Sequence, residues 1–242
     1  MQNLHPVYER MKNALAEKIK EYHLENASVK VRCEPLSAVE AIGNPEEQDY
    51  PIIRGKESIV EAEFNGAKGQ AFSDSFGNRD YTLTELLDLP LTDNRQRADF
   101  VASLNAVYCH LGLCERTIHC RDQEPQLCAK KAESLFTPGT HVLLIGLQPR
   151  FLQQLSSRYN VRCVDMDPDN IGTQKHGIVI ESPDVTPEIV PWCDVIFATG
   201  STLVNGTLPD FLNVGKIVIF YGVTVAAAAE ILNIPRYCEY GH

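Results

Sequence analysis

The first part of the chain alternates between helical and strand-like spacing of its hydrophobic residues. Apolar side chains at steps of three and four predict amphipathic helices, and alternation at steps of two predicts strands. Asn65-Gly66 lies between two strand-like runs and supplies the two positive-φ positions of a tight hairpin turn. These patterns predict helices over residues 4–23, 82–87 and 95–111, strands over 28–34 and 38–42, and a β-hairpin over 58–72.

The second part of the chain has a different pattern, in which short apolar runs alternate with helical segments. Such runs, separated by crossovers, are typical of a parallel, doubly wound sheet. This change in the pattern of apolar residues predicts a domain boundary near residue 122. It gives an α+β domain over 1–122 and a parallel-sheet α/β domain over 123–242. The runs predict a helix over 124–136 and strands over 142–145, 161–164, 195–198 and 217–220.

Composition and charge exclude two classes of function. The formal net charge is −10, and no basic run stands out, which argues against nucleic acid as a partner. No apolar run reaches the roughly 18 residues that a membrane span needs. Residues 1–10 lack the apolar core of a secretory signal, so we expect a cytoplasmic protein whose eight cysteines are reduced.

In an open parallel sheet, ligands bind beyond the carboxyl ends of the strands, so the loops there are the first candidates for a site. After the first strand comes Gly146, without the full glycine fingerprint of dinucleotide-binding loops, so an ordinary turn is an equal alternative. After the second strand come Asp165, Asp167 and Asn170. A carboxylate there can bind hydroxyl groups or act as a base. A solvated turn with a helix cap is the alternative.

The third loop packs hydroxyl and amide side chains and two glycines into nine residues, Thr199 to Thr207. Amide hydrogens at a helix start, together with hydroxyl groups, can hold a phosphate or carboxylate. Ordinary capping and turn formation is the alternative. The fourth strand also ends in a glycine followed by a hydroxyl residue. The expected ligand-binding residues of these two loops are Thr199, Gly200, Ser201, Thr202, Asn205, Thr207, Gly222 and Thr224.

One polar residue interrupts the apolar face of the helix predicted over 95–111. Asn105 is flanked at helical spacing by apolar positions, so its amide must find hydrogen-bond partners inside the fold. It either binds another backbone segment or reaches into a cleft between the domains. In the second case it would join Asp165 and Asp167 as a catalytic residue.

Thiols and imidazoles between residues 109 and 128 raise the question of a metal site. Soft ligands of this kind favour zinc, copper(I) or an iron–sulfur centre. The spacing is irregular and contains no Cys-x-x-Cys pair, and a cysteine on an apolar face packs as a small hydrophobe. The candidate ligands are Cys114, His119 and Cys120.

The second domain resembles the putative heavy-metal chelation family, a Rossmann-like domain of unassigned activity. The resemblance rests on Gly146, on Asp165-Met-Asp-Pro168 with Asn170, on Thr199-Gly-Ser-Thr-Leu-Val-Asn-Gly-Thr207 and on Gly222. The chain departs from the family where Gly222-Val223-Thr224 stands in place of Gly-Pro-Ser or Gly-Pro-Thr. The first domain is similar to the family's companion domain, which has an enolase N-terminal-like fold.

The resemblance implies a site in the cleft between the domains and a role in making or handling pterin-, flavin- or siderophore-like chelators. From it and from the loops we expect an enzyme that condenses or hydrolyses a small polar metabolite. Two alternatives remain at this stage. One is a non-catalytic metal-binding protein or metallochaperone that uses the thiols, and the other is an S-adenosylmethionine-dependent methyltransferase. Base rates favour a homodimer.

Overall fold

The protein is described by a computed structural model that covers residues 4–24, 31–55 and 57–242. In these residues an antiparallel sheet of four strands precedes a mainly parallel sheet of seven, so the predicted α/β fold class is confirmed. The elements of the first part are α1 (Pro6–Glu21), β1 (Val31–Leu36), α2 (Ala38–Ile42), β2 (Ser58–Phe64), β3 (Ala67–Ser73), β4 (Arg79–Tyr81), α3 (Leu83–Asp88) and α4 (Asn94–His110).

The second part contains the larger sheet and the helices that cover it. Its elements are α5 (Glu124–Ala132), β5 (His141–Ile145), α6 (Pro149–Ser156), β6 (Asn160–Val164), β7 (Gln174–Lys175), β8 (Ile178–Glu181), α7 (Thr186–Ile189), β9 (Val195–Thr199), α8 (Thr202–Asn205), β10 (Ile217–Tyr221), α9 (Ala226–Leu232) and β11 (Arg236–Tyr237).

The first sheet has the strand order β3-β2-β1-β4, and its pairs are antiparallel. The predicted hairpin is present as β2 and β3, and both turn residues have the expected positive φ, 50° at Asn65 and 84° at Gly66. The predicted strand over 28–34 is present from Val31 onward, and residues 28–30 lie outside the described part.

One prediction in this part is wrong: residues 38–42 form helix α2 and not a strand. The Ser37 hydroxyl accepts from the Glu40 N–H, and the Glu40 carboxylate accepts from the Ser37 N–H, which is a complete capping box. This local capping stabilises the first helical turn. The strand was predicted because a segment of five residues is too short to show a helical period.

Helix α4 lies against the first sheet and is the element on which both parts of the molecule pack. Its residues from Ala98 to Tyr108 are buried. Gly69 on β3 makes the close approach possible, because a Cβ there would lie 2.2 Å from the Ala106 nitrogen. One continuous apolar cluster runs from this helix into the second sheet and includes Phe100, Val107, Ile196 and Phe220.

The second sheet has the order β11-β10-β9-β5-β6-β8-β7, with only β7 antiparallel to its neighbour among the described strands. Helices cover both faces, since Val142 and Leu144 pack into one apolar cluster and Leu143 and Ile145 into the other. The four predicted strands are β5, β6, β9 and β10, and the short strands β7, β8 and β11 were not predicted. The boundary near residue 122 and the enolase-like character of the first domain stay predictions.

None of the helices in the described residues combines the length and the apolarity that a membrane crossing would require.

Candidate functional site

A cavity of about 1080 Å³ lies at the carboxyl ends of β5, β6, β9 and β10. The first sheet contributes to its opposite wall through residues such as Glu57, Phe72 and Asp74. The cavity is thus lined by both sheets, at the edge where an open parallel sheet binds ligands. Of the predicted site residues, those that line it are Gly146, Asp165, Asp167, Asn170, Thr199, Ser201, Thr202, Asn205, Thr207, Gly222 and Thr224, together with His119 and Cys120.

The first loop turns sharply from β5 into α6 at Gly146, where φ is +83°. A Cβ at this position would lie 2.6 Å from Cγ2 of Thr199 on the neighbouring strand, so only glycine fits. The Gln148 side chain then accepts from the Phe151 N–H at 2.6 Å, and Pro149 takes the first helical position. The glycine brings two loops of the cavity close together.

The second loop is organised by the Asp165 carboxylate. One of its oxygens accepts from the Leu147 N–H at 2.6 Å, and the other accepts from the Asp167 N–H at 2.9 Å and from the Asn170 side chain at 3.1 Å. The Asn170 amide also donates to Asp167 at 3.3 Å and is itself buried. Asp165 therefore positions the first two loops, and it has little capacity left for the hydroxyl groups of a ligand.

The third loop lines the cavity, but most of its amide hydrogens donate within the fold. The N–H groups of Gly200, Ser201 and Leu203 donate to Tyr221 O, Thr199 Oγ1 and Gly200 O respectively. Those of Asn205 and Thr207 also donate to carbonyl groups of the loop. This corrects the expectation of an amide cradle for an anion. The loop presents side chains instead, with Ser201, Asn205 and Thr207 partly exposed among the residues that line the cavity.

Two predicted residues of this loop have structural roles. Gly200 does not line the cavity, and it lets the turn after β10 approach, since a Cβ there would lie 3.0 Å from the Val225 nitrogen. The Thr202 hydroxyl donates to the Thr199 carbonyl at 2.7 Å. These residues shape the loop, and the other side chains contact the cavity.

The fourth loop joins the second sheet to the first. Gly222 has φ of +95°, a conformation that glycine adopts without strain. The Thr224 hydroxyl accepts from the Phe72 N–H on β3 at 3.1 Å. Thr224 thus holds the edge of the first sheet against the cavity.

Asn105 does not reach the cavity, which corrects its expected catalytic role. It is 1% exposed, and its amide nitrogen donates to the carbonyls of Gln70, Val223 and Thr224 at 3.0, 3.2 and 3.2 Å. Its oxygen accepts from the Ala227 N–H at 2.9 Å. The alternative reading of the sequence, a buried amide bound to the backbone, is therefore the correct one.

The expected metal ligands do not form a metal site. Among the described residues, no group of three or more His, Cys, Asp or Glu side chains is placed to hold a metal ion. Cys114 lies outside the cavity, where burial raises the pKa of its thiol to about 12, and its sulfur lies 3.9 Å from the Asn105 carbonyl. Burial also raises the pKa of the Cys120 thiol. Since the thiolate is the form that binds metals, both are poor ligands.

His119 lines the cavity as a neutral imidazole. Burial lowers its pKa to about 4, and Nδ1 lies 2.6 Å from the Cys120 carbonyl. A carbonyl oxygen only accepts, so Nδ1 carries the hydrogen and Nε2 keeps its lone pair. This ring can accept a hydrogen bond, and at neutral pH it carries no charge.

Sequence analysis missed Glu57, which lines the cavity just before β2. Burial raises the pKa of its carboxyl to about 7, and the neighbouring carboxylates of Asp165, Asp74 and Asp167 raise it further in the same direction. In the sequence, Glu57 is recognisable only as a residue that follows a turn and precedes a buried strand. Nothing in the local pattern places it beside the loops of a distant sheet.

Comparison with known proteins gives a family and two similar structures. Residues 132–234 match the model of the family described as DUF364, putative heavy-metal chelation. No curated protein matches the chain. The resemblance that the sequence motifs indicated is thus confirmed over this part of the chain.

Two solved structures share the fold. A protein of unknown function from the DUF364 family of Pyrococcus horikoshii is 16% identical, covering 90% of this chain and 79% of that one, with a TM-score of 0.56. Another from Desulfitobacterium hafniense DCB-2 is 14% identical, covering 96% of this chain and 84% of that one, with a TM-score of 0.58. Both alignments span almost the whole chain, which indicates that its two sheets occur together in these proteins. Residues 132–234 thus match the model of the DUF364 family, putative heavy-metal chelation, and the chain shares the fold of two structures from that family.

Proposed function

We propose that this protein binds a small polar metabolite in the cavity between its two sheets and catalyses a condensation or hydrolysis on it. The single observation that carries the proposal is the composition of the cavity wall. Carboxyl groups from both sheets and the hydroxyl and amide side chains of the third loop surround one space of about 1080 Å³. A concave site with convergent polar groups and a carboxyl of raised pKa is the usual setting of an active site.

The polar side chains divide into two roles. Ser201, Asn205 and Thr207 bind the metabolite through hydrogen bonds, and they hold its reacting bond near the carboxyl groups. Asp165 and Asn170 act as positioning residues, since their hydrogen bonds fix the first two loops. Acid–base chemistry by positioned carboxyl groups suits bond formation or cleavage with loss or gain of water.

The walls of the cavity favour a flat organic molecule. Phe72, Phe151, Phe211 and Tyr221 line it along with the polar groups. Aromatic walls with a few polar groups suit a heterocycle that carries hydroxyl or amino substituents. This is the chemistry of pterin-, flavin- or siderophore-like chelators, and it agrees with the heavy-metal chelation named in the family description.

Binding is tested by thermal shift with neopterin, flavin mononucleotide, a hydroxamate siderophore, S-adenosylmethionine and ribose 5-phosphate. A ligand that binds only the folded state raises the melting temperature by mass action. We expect a rise with one of the first three compounds, lost in Asn205→Ala and kept in Asn160→Ala, a control at the opposite end of β6.

Two outcomes contradict the proposal. A rise with S-adenosylmethionine alone would favour the methyltransferase alternative. The absence of any rise across the five compounds would remove the proposed function.

A further inference from the structure

Glu57 and Asp74 lie just beyond the last residue pair of the neighbouring strands β2 and β3. Strands β2 and β3 are antiparallel and pair Ser58 with Ser73, so Glu57 and Asp74 are the next two residues outward along the ladder. Both line the cavity. Like charges directly opposite each other on paired strands are destabilising. The charge of Asp74 is accordingly one of those that disfavour ionisation of Glu57.

Two more carboxyl groups line the same cavity from the second sheet. Asp165 and Asp167 follow β6, and their charges reach Glu57. When several carboxyl groups share a site of limited solvation, one of them retains its proton to higher pH than the others. The surroundings of the four carboxyl groups determine which one keeps its proton.

Hydrogen-bond donors contact each of the three aspartates. Asp74 accepts from the Asn94 amide at 2.8 Å, and Asp165 accepts from three N–H groups. Asp167 accepts from the Asp169 N–H at 3.0 Å and from Asn170. Hydrogen bonds to the charged form favour ionisation. Glu57 is the group that burial and these three neighbours favour in the protonated form, with its pKa raised to about 7.

Three other titratable groups that line the cavity, those of His119, Tyr221 and Cys120, are unsuited to exchange a proton near neutral pH. His119 has a pKa of about 4 and is neutral. Tyr221 is buried, its pKa lies well above the ordinary value, and its hydroxyl donates to the Gly146 carbonyl at 2.9 Å. Burial raises the pKa of the Cys120 thiol as well.

We propose that Glu57 is the general acid–base group of the cavity. Its protonated carboxyl gives a proton to an oxygen or nitrogen of the bound molecule at the bond that breaks, and the resulting carboxylate takes a proton back from the attacking or solvent water. In the reverse, condensing direction the same proton passes from the nucleophile to the carboxylate and leaves with the water formed. This inference rests on the proposed function and deepens it by naming the residue that moves the proton.

The first test is a direct titration of the carboxyl groups by NMR with glutamate labelled at the carboxyl carbon. We expect one glutamate to titrate near pH 7, to disappear from the spectrum in Glu57→Gln and to remain in Glu63→Gln. Glu63 is the matched control because it lies exposed on β2, the strand that directly follows Glu57. Asp74→Asn should move this midpoint to lower pH, since it removes the charge opposite Glu57.

The second test measures the thermal shift of the five compounds named above at pH 5.5, 7.0 and 8.5. We expect the shift to change across pH 7 in the wild type and in Glu63→Gln, and to be independent of pH in Glu57→Gln. A Glu57 midpoint below pH 5.5, or the same pH dependence in Glu57→Gln, overturns this inference and leaves the proposed function standing. A failure of all five compounds to bind overturns both.

Discussion

At the scale of single residues, the cavity shows how one functional group takes different roles in different surroundings. Asp165 and Glu57 are both carboxyl groups that line the same cavity, from opposite walls. Asp165 accepts three N–H hydrogen bonds and organises two loops. Glu57 is half-buried near other carboxylates, and its pKa is raised to about 7. Their neighbours, and not their chemical type, separate the positioning residue from the proton carrier.

The raised pKa of Glu57 predicts how stability depends on pH. The folded state keeps a proton up to about pH 7, and the unfolded chain loses it near 4.5. The stability that this proton contributes is full below 4.5 and is lost as the pH rises through 7. We expect Glu57→Gln, which mimics the neutral form, to raise the free energy of unfolding at pH 8 by on the order of 2 kcal/mol after solvent screening.

Urea unfolding at pH 5, 6.5 and 8 measures this difference, with Glu63→Gln as the control. The gain from Glu57→Gln should shrink towards zero at pH 5. A gain of the same size at all three pH values would contradict the pKa argument.

At the scale of elements, the site depends on how closely the ends of neighbouring strands approach. β5 and β9 are paired, and the turns that follow them meet where Gly146 lies against Thr199. A left-handed backbone and the absence of a Cβ are both needed there. The shape of the cavity is therefore set by the backbone of the turns as much as by its polar side chains.

This contact predicts the effect of adding one methyl group. We expect Gly146→Ala to lower the free energy of unfolding by about 2–3 kcal/mol, through backbone strain and the 2.6 Å contact with Thr199 Cγ2. Gly146→Ala combined with Thr199→Ser removes Cγ2 and should recover part of the loss. Urea unfolding of the two single variants and the double variant measures the coupling. Strict additivity would contradict the steric explanation.

At the scale of the whole molecule, a buried amide and a shared core join the two sheets. Asn105 on α4 binds the backbone of β3 and the turn between β10 and α9. The apolar cluster around α4 continues into the second sheet. The cavity lies between these sheets, so their relative placement is part of the site.

The link predicts a large and cooperative loss of stability when the amide is removed. Asn105→Leu leaves three carbonyl groups and one N–H group without their side-chain partner, and we expect a loss of about 3 kcal/mol or more. Asn160→Leu, on an exposed residue, should change stability by less than about 0.5 kcal/mol.

Unfolding of both variants is followed by circular dichroism and by the fluorescence of Trp192, the single tryptophan. The two signals should change together, because one core spans both sheets. Separate transitions in the wild type would show that the sheets unfold independently.

Local sequence patterns were sufficient for most of the elements. The Asn65-Gly66 hairpin, the long helices and the four apolar strands β5, β6, β9 and β10 follow from periodicity and turn chemistry, which act over a few residues. The short strands β7, β8 and β11 were missed because two to four residues carry no periodic signal. Helix α2 was misassigned because its five residues are too few to show a helical period, and its capping box is a local signal that the pattern of apolar residues does not contain.

The sequence by itself also located the polar loops of the cavity, since the carboxyl ends of parallel strands meet at one edge. Only the tertiary structure decided which groups in those loops are available. It directed most amides of the third loop to partners within the fold, turned Asn105 into a link between the sheets and brought Glu57 to the cavity from the segment before β2. Hydrogen-bond partners, burial and charge neighbours arise from contacts between residues far apart in the chain, and no local pattern contains them.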